Sequence, residues 1–215
     1  MNLDSSPRRT RRTKQARPAS HAELRVQIRR TVRLAVLDAA EELISKHGLR
    51  DAGLAQIAKR AGVAVGTLYN YFTDRDALIR GLFESRRATL RPLLLAANAA
   101  GANLAFEPRL RAYVRAVLAA FESHRSFLKV AIENEHLKPP GSTTPQDMLA
   151  GVRDVIAAGV AEGVVAADKA ELLALVITGT FRAIAIDRLH QGGDLTNDAD
   201  AMVEILLDGV RSATP

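Results

Sequence analysis

The sequence predicts an all-α protein, and three observations lead there. Apolar residues recur at helical spacing along most of the chain, as in Val36, Leu37, Ala40, Leu43 and Ile44, which line one face of a 3.6-residue repeat. No stretch of useful length alternates apolar and polar residues as a half-buried strand does. Clusters of Gly, Pro, Asn and Asp, notably Pro139-Pro140-Gly141 and Gly192-Gly193-Asp194, cut the pattern into helix-sized pieces.

Taken in order, residues 1–21 are polar and crowded with Arg8, Arg9, Arg11, Arg12, Lys14 and Arg17, without apolar periodicity, so they read as a disordered basic arm. The first helix is expected from about Ala22, with Gly48 as its left-handed terminator. A short helix follows from about Leu54 to Ala61, ended by Gly62, and another from about Val65 to Tyr71. Thr73, three residues before Asp76, has the spacing of a capping box that opens a fourth helix through Leu78, Leu82 and Phe83 towards Leu95. Further helices are expected near 108–123, 126–137, 146–162, 168–190 and 198–211.

Composition narrows the class. At 215 residues, 47% apolar and 25% charged, the chain can bury an ordinary core. Cysteine is absent, which excludes disulfides, cysteine-based metal sites and thiol catalysis. No uninterrupted apolar run reaches the roughly 18 residues of a membrane span, and no apolar segment follows the basic N-terminus as in a secretory signal. The expectation is a cytoplasmic protein without a cofactor and without a membrane partner. Charge is distributed unevenly. Residues 1–75 hold 15 Lys and Arg against 7 Asp and Glu, whereas residues 76–215 hold 15 against 17. All of the positive excess lies in the first third, which favours an anionic partner there.

The two short helices joined by Ala61-Gly62-Val63-Ala64 have the dimensions of a helix-turn-helix. A helix of about seven residues is too short to stand alone, and Leu68 and Phe72 are its expected anchors. That leaves Val65, Gly66, Thr67, Tyr69, Asn70 and Tyr71 partly free to face a groove. A plain three-helix core with a polar face fits the same spacing.

The run from Ile57 to Phe72, IAKRAGVAVGTLYNYF, resembles the signature of the tetracycline-repressor (TetR) family, as do Val36-Leu37-Asp38-Ala39-Ala40, His47-Gly48 and Arg75-Asp76-Ala77-Leu78 around it. The resemblance covers about residues 33–80. It implies a transcriptional regulator and not an enzyme, usually a repressor, acting as a homodimer on a palindromic double-stranded DNA operator. It implies an N-terminal three-helix DNA-binding domain, 22–78, and a C-terminal helical ligand-binding and dimerisation domain, 79–215. Gln56, Val65, Gly66, Thr67, Tyr69, Asn70, Tyr71 and Arg75 are the implied DNA-binding residues. Hydroxyls of Thr67 and Tyr69 suit phosphate oxygens, and Arg75 at a helix start suits another phosphate. The amide of Asn70 can pair with adenine, Val65 can meet a thymine methyl, and Gly66 allows close approach. The sequence departs from the family at Ala64, where a capping Ser is common, and at Ala52 and Gly53, where Thr or Ser is common. Each lost cap costs about 0.5–2 kcal/mol, and lost hydroxyls bear on affinity and operator choice. The basic arm either follows the DNA backbone or enters the minor groove, or it is a solubilising tail.

Residues 168–190 are apolar on nearly every side, and 198–211 adds Met202, Val203, Ile205, Leu206, Leu207 and Val210. A partner subunit is an economical place to bury the extra face, so homodimerisation is expected through these two segments. Thr178, Gly179 and Thr180 suit a close crossing. An effector pocket is expected among the helices from about 82 to 190, with Tyr113, Phe121, His124, Phe127, His136 and Phe181 as candidate contacts for an unidentified small molecule. Glu133-Asn134-Glu135-His136 carries the Glu-x-x-His spacing of a helical metal ligand pair, but it occurs once where a two-metal bundle needs two. The competing reading is a helical metal- or small-molecule-binding protein that associates with DNA unspecifically through its arm.

Overall fold

A computed structural model describes residues 20–138 and 144–210. Residues 1–19, which hold the basic cluster of the expected arm, and the Pro139-Pro140-Gly141 segment lie outside the described residues. Within them every regular element is helical: α1 (His21–Asp51), α2 (Leu54–Arg60), α3 (Val65–Tyr69), α4 (Arg75–Ala100), α5 (Phe106–Ser123), α6 (Arg125–Glu133), α7 (Thr144–Ala161), α8 (Ala170–Gln191) and α9 (Ala199–Val210), with short 3-10 turns before α8 and α9 and after α6.

Local chemistry sets the boundaries. The start of α1 is a capping box: the Glu23 N–H donates to Ser20 Oγ at 3.2 Å, and the Ser20 N–H donates to the Glu23 carboxylate at 2.6 Å. The last two residues assigned to the arm, Ser20 and His21, therefore belong to the helix and its cap. Gly48 breaks α1 with φ +79°, as a terminator should, but its ψ of 165° is extended rather than left-handed, and one more turn follows before Asp51. Asp74, not Thr73, caps α4. Its carboxylate accepts the Ala77 N–H at 2.6 Å, while the Thr73 hydroxyl donates to the same carboxylate at 3.1 Å. The longer helix expected over 126–137 stops at Glu133, because Asn134 leaves helical geometry and its buried amide donates to the Val130 carbonyl at 2.9 Å.

Two apolar cores result. The first gathers Val36, Leu37, Ala40 and Ile44 of α1, Ile57 of α2, Leu68 of α3, Phe72, and Leu78, Leu82, Phe83 and Leu90 of α4. The second is built from α5, α7, α8 and α9 around Tyr113, Val152, Ile177, Phe181 and Leu207. Helix α7 comes very close to α5, since a methyl at Gly151 would stand 2.2 Å from the Tyr113 hydroxyl oxygen. Helix α4 runs unbroken past residue 78, from the first core into the second.

Helix α6 joins the two. Phe127, Val130 and Ala131 are buried with the first core, and Phe127 meets Phe83 edge-to-face at 5.5 Å between ring centroids. Arg86 of α4 reinforces the α1–α4 contact through Asp38 and Glu41, each at 2.5 Å. Because Phe127 is 5% exposed, Phe127→Ala should cost about 3–5 kcal/mol, read as a lower urea midpoint at fixed protein concentration. A loss below about 1 kcal/mol would show that the α6 seam collapses around the void.

Candidate nucleic-acid interface and ligand cavity

The corner between α2 and α3 is a Schellman turn. Gly62, at φ +72°, donates to the Lys59 carbonyl at 3.2 Å, and Val63 donates to the Ala58 carbonyl at 3.0 Å. A residue with a Cβ is disfavoured at that φ, which is why glycine stands there. Ala64 then begins α3 without a side-chain cap. The helix spans only Val65–Tyr69, two residues fewer than expected, since the Asn70, Tyr71 and Phe72 N–H groups close tight turns onto Gly66, Thr67 and Leu68 carbonyls. That tightening swings Phe72 into the core.

Burial on one side sorts the residues of α3. Leu68 is fully buried and Phe72 is 3% exposed. Val65 is 40% and Tyr69 49% exposed; Gly66 and Asn70 are exposed, and Thr67 and Tyr71 are half-buried. The outer side of α3 therefore presents an apolar valine and a phenol side by side with the Asn70 amide. Gln56 is exposed, but its side-chain oxygen accepts the Gly53 N–H at 3.4 Å, the half of a capping box that needs no hydroxyl at Gly53. Arg75 is half-buried and donates to the Ala52 carbonyl, so part of the guanidinium expected at a phosphate closes the α1–α2 turn.

Cations beside this surface differ in availability. Glu42 holds both Lys46 at 2.8 Å and Arg60 at 2.6 Å, and these two partners keep its carboxyl below its ordinary range. Lys59, in the last turn of α2 beside Arg60, is exposed.

A cavity of about 330 Å³ lies between α4, α5, α6, α7 and α8, the lower end of the roughly 300–1,000 Å³ usual for small-molecule sites. Phe121, His124 and Phe127 line it, beside Leu90, Leu128, Ala131, Met148, Leu175 and Thr178. Lys138 and Arg182 are its cationic members, and both are held by Glu135, at 3.3 and 2.6 Å. Their charge keeps the Glu135 carboxyl below its ordinary range, Lys138 contributing most. The other three candidate contacts stand elsewhere. Tyr113 is sealed in the second core, its hydroxyl donating to the Met148 carbonyl at 3.2 Å. Phe181 is fully buried against the Phe121 ring, and His136 is exposed on the turn after α6. Choosing aromatics alone could not separate lining from core, and the aliphatic lining looks like any core position.

Because α6 ends at Glu133, Glu133 and His136 do not share a helix face, and among the described residues no group of three or more His, Cys, Asp or Glu converges on a metal position. No helix among them is long and apolar enough to cross a membrane. On α8 one face is buried through Leu173, Ile177 and Phe181, while Leu172, Leu175 and Val176 are 46–65% exposed, and Ile205 of α9 is 74% exposed.

Residues 36–82 match the family model described as bacterial regulatory proteins, tetR family. MftR of Mycobacterium tuberculosis, named for transcriptional regulation of mycofactocin biosynthesis, is 34% identical over 59% of this chain, and the chain spans 62% of that protein. The fatty acid degradation regulator FadR of Bacillus halodurans shares the fold at TM-score 0.72 and 22% identity, covering 84% of this chain and 96% of its own. FadR of Bacillus subtilis, solved in complex with stearoyl-CoA, does so at TM-score 0.68 and 19% identity, over 82% and 98%. The relatives are named as regulators, not enzymes.

The cap next to α3 gives a pH-dependent prediction. The Asp74 carboxyl lies below its ordinary value of 3.8, chiefly because it accepts the Ala77 N–H and then because it accepts the Thr73 hydroxyl. A carboxyl acidified on folding contributes stability above its unfolded value and loses it as pH falls through the folded one. The stability gap between wild type and Asp74→Ala should be full at neutral pH and close progressively below 3.8, measured by denaturant titration across pH.

Proposed function

We propose that the chain is a member of the tetR family of bacterial regulatory proteins, whose model its residues 36–82 match, and that it is a homodimeric repressor that binds a palindromic operator and is released by a small molecule. The carrying observation is the open face of α3, with Val65, Tyr69 and Asn70 outward and Leu68 and Phe72 locked inward. In this reading residues 22–78 read DNA and residues 79–215 bind the effector and the second subunit. Thr67 and Tyr69 fix register on phosphates, with Gln56, Tyr71 and the free part of Arg75 beside them. Asn70 addresses a base edge, Val65 a thymine methyl, and Gly66 lets the backbone come close. One such helix reads few base pairs. Two copies about 34–36 Å apart reach successive major grooves on one face of the duplex. The exposed Leu172, Leu175, Val176 and Ile205 are the surface we assign to the second copy.

Release follows from shared side chains. Leu90, Phe127 and Ala131 line the cavity and also belong to the core that seats α1–α3. A ligand that fills the cavity presses on the side chains that set the reading head, and it shifts the dimer spacing only by its differential affinity for the two arrangements. The lining is apolar apart from His124, Thr178, Lys138 and Arg182, which suits an apolar body with an acidic head. An acyl thioester of the kind bound by the Bacillus subtilis protein is the class we assign. Its anionic groups would take over Lys138 and Arg182 from Glu135.

The test is capture of fragments of the source genome by purified protein, followed by footprinting and addition of stearoyl-CoA. An inverted repeat protected by a dimer, and released by the thioester, is the expected result. Asn70→Ala should relax preference at one base in each half-site. Equal weakening on all sequences would move Asn70 to the phosphates, and unselective capture would sink the reading.

A further inference from the structure

We propose that the first three turns of α1 form a second DNA-contacting surface, a helical arginine stripe that follows the phosphate backbone beside the reading head. The inference rests on the operator-binding reading above and adds a site to it. The family model begins its match at residue 36, so the segment from His21 to Ala35 lies ahead of it. That segment is nonetheless helical and capped by Ser20 and Glu23. Every residue from 21 to 31 is exposed, so the helix extends past the core that its later turns help to build.

The stripe is defined by register. Arg25, Arg29 and Arg33 are four residues apart, which puts them on one side of the helix at steps of about 6 Å. Further along the same side come Val36 and Ala40, both buried in the first core. The arginines thus continue outward the face by which α1 grips the helix-turn-helix unit. Its inner member shows where it leads: the Arg33 guanidinium sits over the Phe72 ring, 5.3 Å from its centroid. Phe72 is the anchor that follows α3, and Arg33, with Arg30, also lines a groove against Glu84 and Ser85 of α4; Arg29 and Arg25 lie one and two turns further towards the free start of α1.

Charge identifies the partner. Among the described residues Arg25, Arg29 and Arg30 have no ion pair or hydrogen bond, whereas Arg86, Arg111, Arg115, Arg153, Arg182 and Arg188 are each held by a carboxylate. Glu23 is the one acidic residue between positions 20 and 35, and it is occupied by the cap. Unpaired guanidiniums in a row are suited to a polyanion with regular spacing, and a duplex presents its phosphates so. A lipid surface fits less well, because Val26 breaks into the basic side instead of joining Leu24 and Ile28 opposite.

The experiment measures operator affinity of the full chain against salt. Replacing Arg25→Ala and Arg29→Ala together should make the slope of log K against log salt shallower by about 0.9 per lost phosphate contact, or about 3.6 for two contacts in each of two subunits. At low salt the affinity should fall at least tenfold, with thermal midpoint and dimer state unchanged. Arg25→Lys with Arg29→Lys should restore most of the slope, and Leu24→Ser with Ile28→Ser should leave it as in wild type. Unchanged slope and affinity in the alanine pair, with wild type still bound to its operator, would overturn this inference and leave the operator reading standing. So would a loss confined to the Leu24 and Ile28 variant, which makes the segment a helix-docking surface. Arginine-dependent binding to phosphatidylserine vesicles, without any change on DNA, would also overturn it. Wild-type protein that captures no genomic fragment defeats the operator reading itself.

Discussion

A five-residue helix has no stability of its own, since nucleation consumes more conformational entropy than its one or two internal hydrogen bonds return. Everything on the α3 side of this protein depends on how that deficit is met. The Gly62 turn sets the angle, Leu68 and Phe72 hold α3 from below, and Asp74 starts the next helix immediately. Exposure of Val65, Tyr69 and Asn70 is the complement of this clamping. A helix pinned along one stripe presents its other stripe in a defined orientation, which a groove-reading surface needs.

The clamp extends beyond the three N-terminal helices. Phe127, Val130 and Ala131 arrive from α6, some sixty residues later in the chain, and complete the same core. Two of them, Phe127 and Ala131, also face the cavity. Packing at crystalline density transmits displacement rather than absorbing it, so the wall of the cavity and the seat of α3 are mechanically one object. Helix α4 makes the same connection along its length, with Leu78 and Leu82 in the first core and Leu94 in the second.

Charge is arranged by the same division of labour. In the C-terminal helices arginines are neutralised by fixed partners: Arg188 by Asp198 at 2.7 Å, Arg153 by Glu171 at 2.5 Å, and Arg115 by Asp200 at 2.8 Å. Such exposed pairs add little stability each, but they erase net charge from that half. Along the first turns of α1 Arg25, Arg29 and Arg30 have no such partner among the described residues, and the positive potential there is what a polyanion would meet. The unpaired arginines of α1 are therefore, among the described residues, a part of the charge asymmetry that stays available.

Local pattern alone carried the class, the helix-turn-helix, the anchors Leu68 and Phe72 and the outward face of α3, because each follows from short-range spacing and from glycine at a positive φ. Capping was legible only in part: the start of α4 was expected, but with Thr73 in the place that Asp74 takes, and Ser20, assigned to the arm, proved to cap α1. Tertiary contacts decided the rest. Arg75 is partly committed to the Ala52 carbonyl, a group that comes near only once α1, α2 and α4 have met. The cavity took Phe121, His124 and Phe127 and left Tyr113 and Phe181 in the core, a distinction that periodicity cannot express because a lining side chain and a core side chain obey the same apolar spacing. It differs only in whether a neighbouring helix happens to fill the space opposite, and that depends on the whole packing at once.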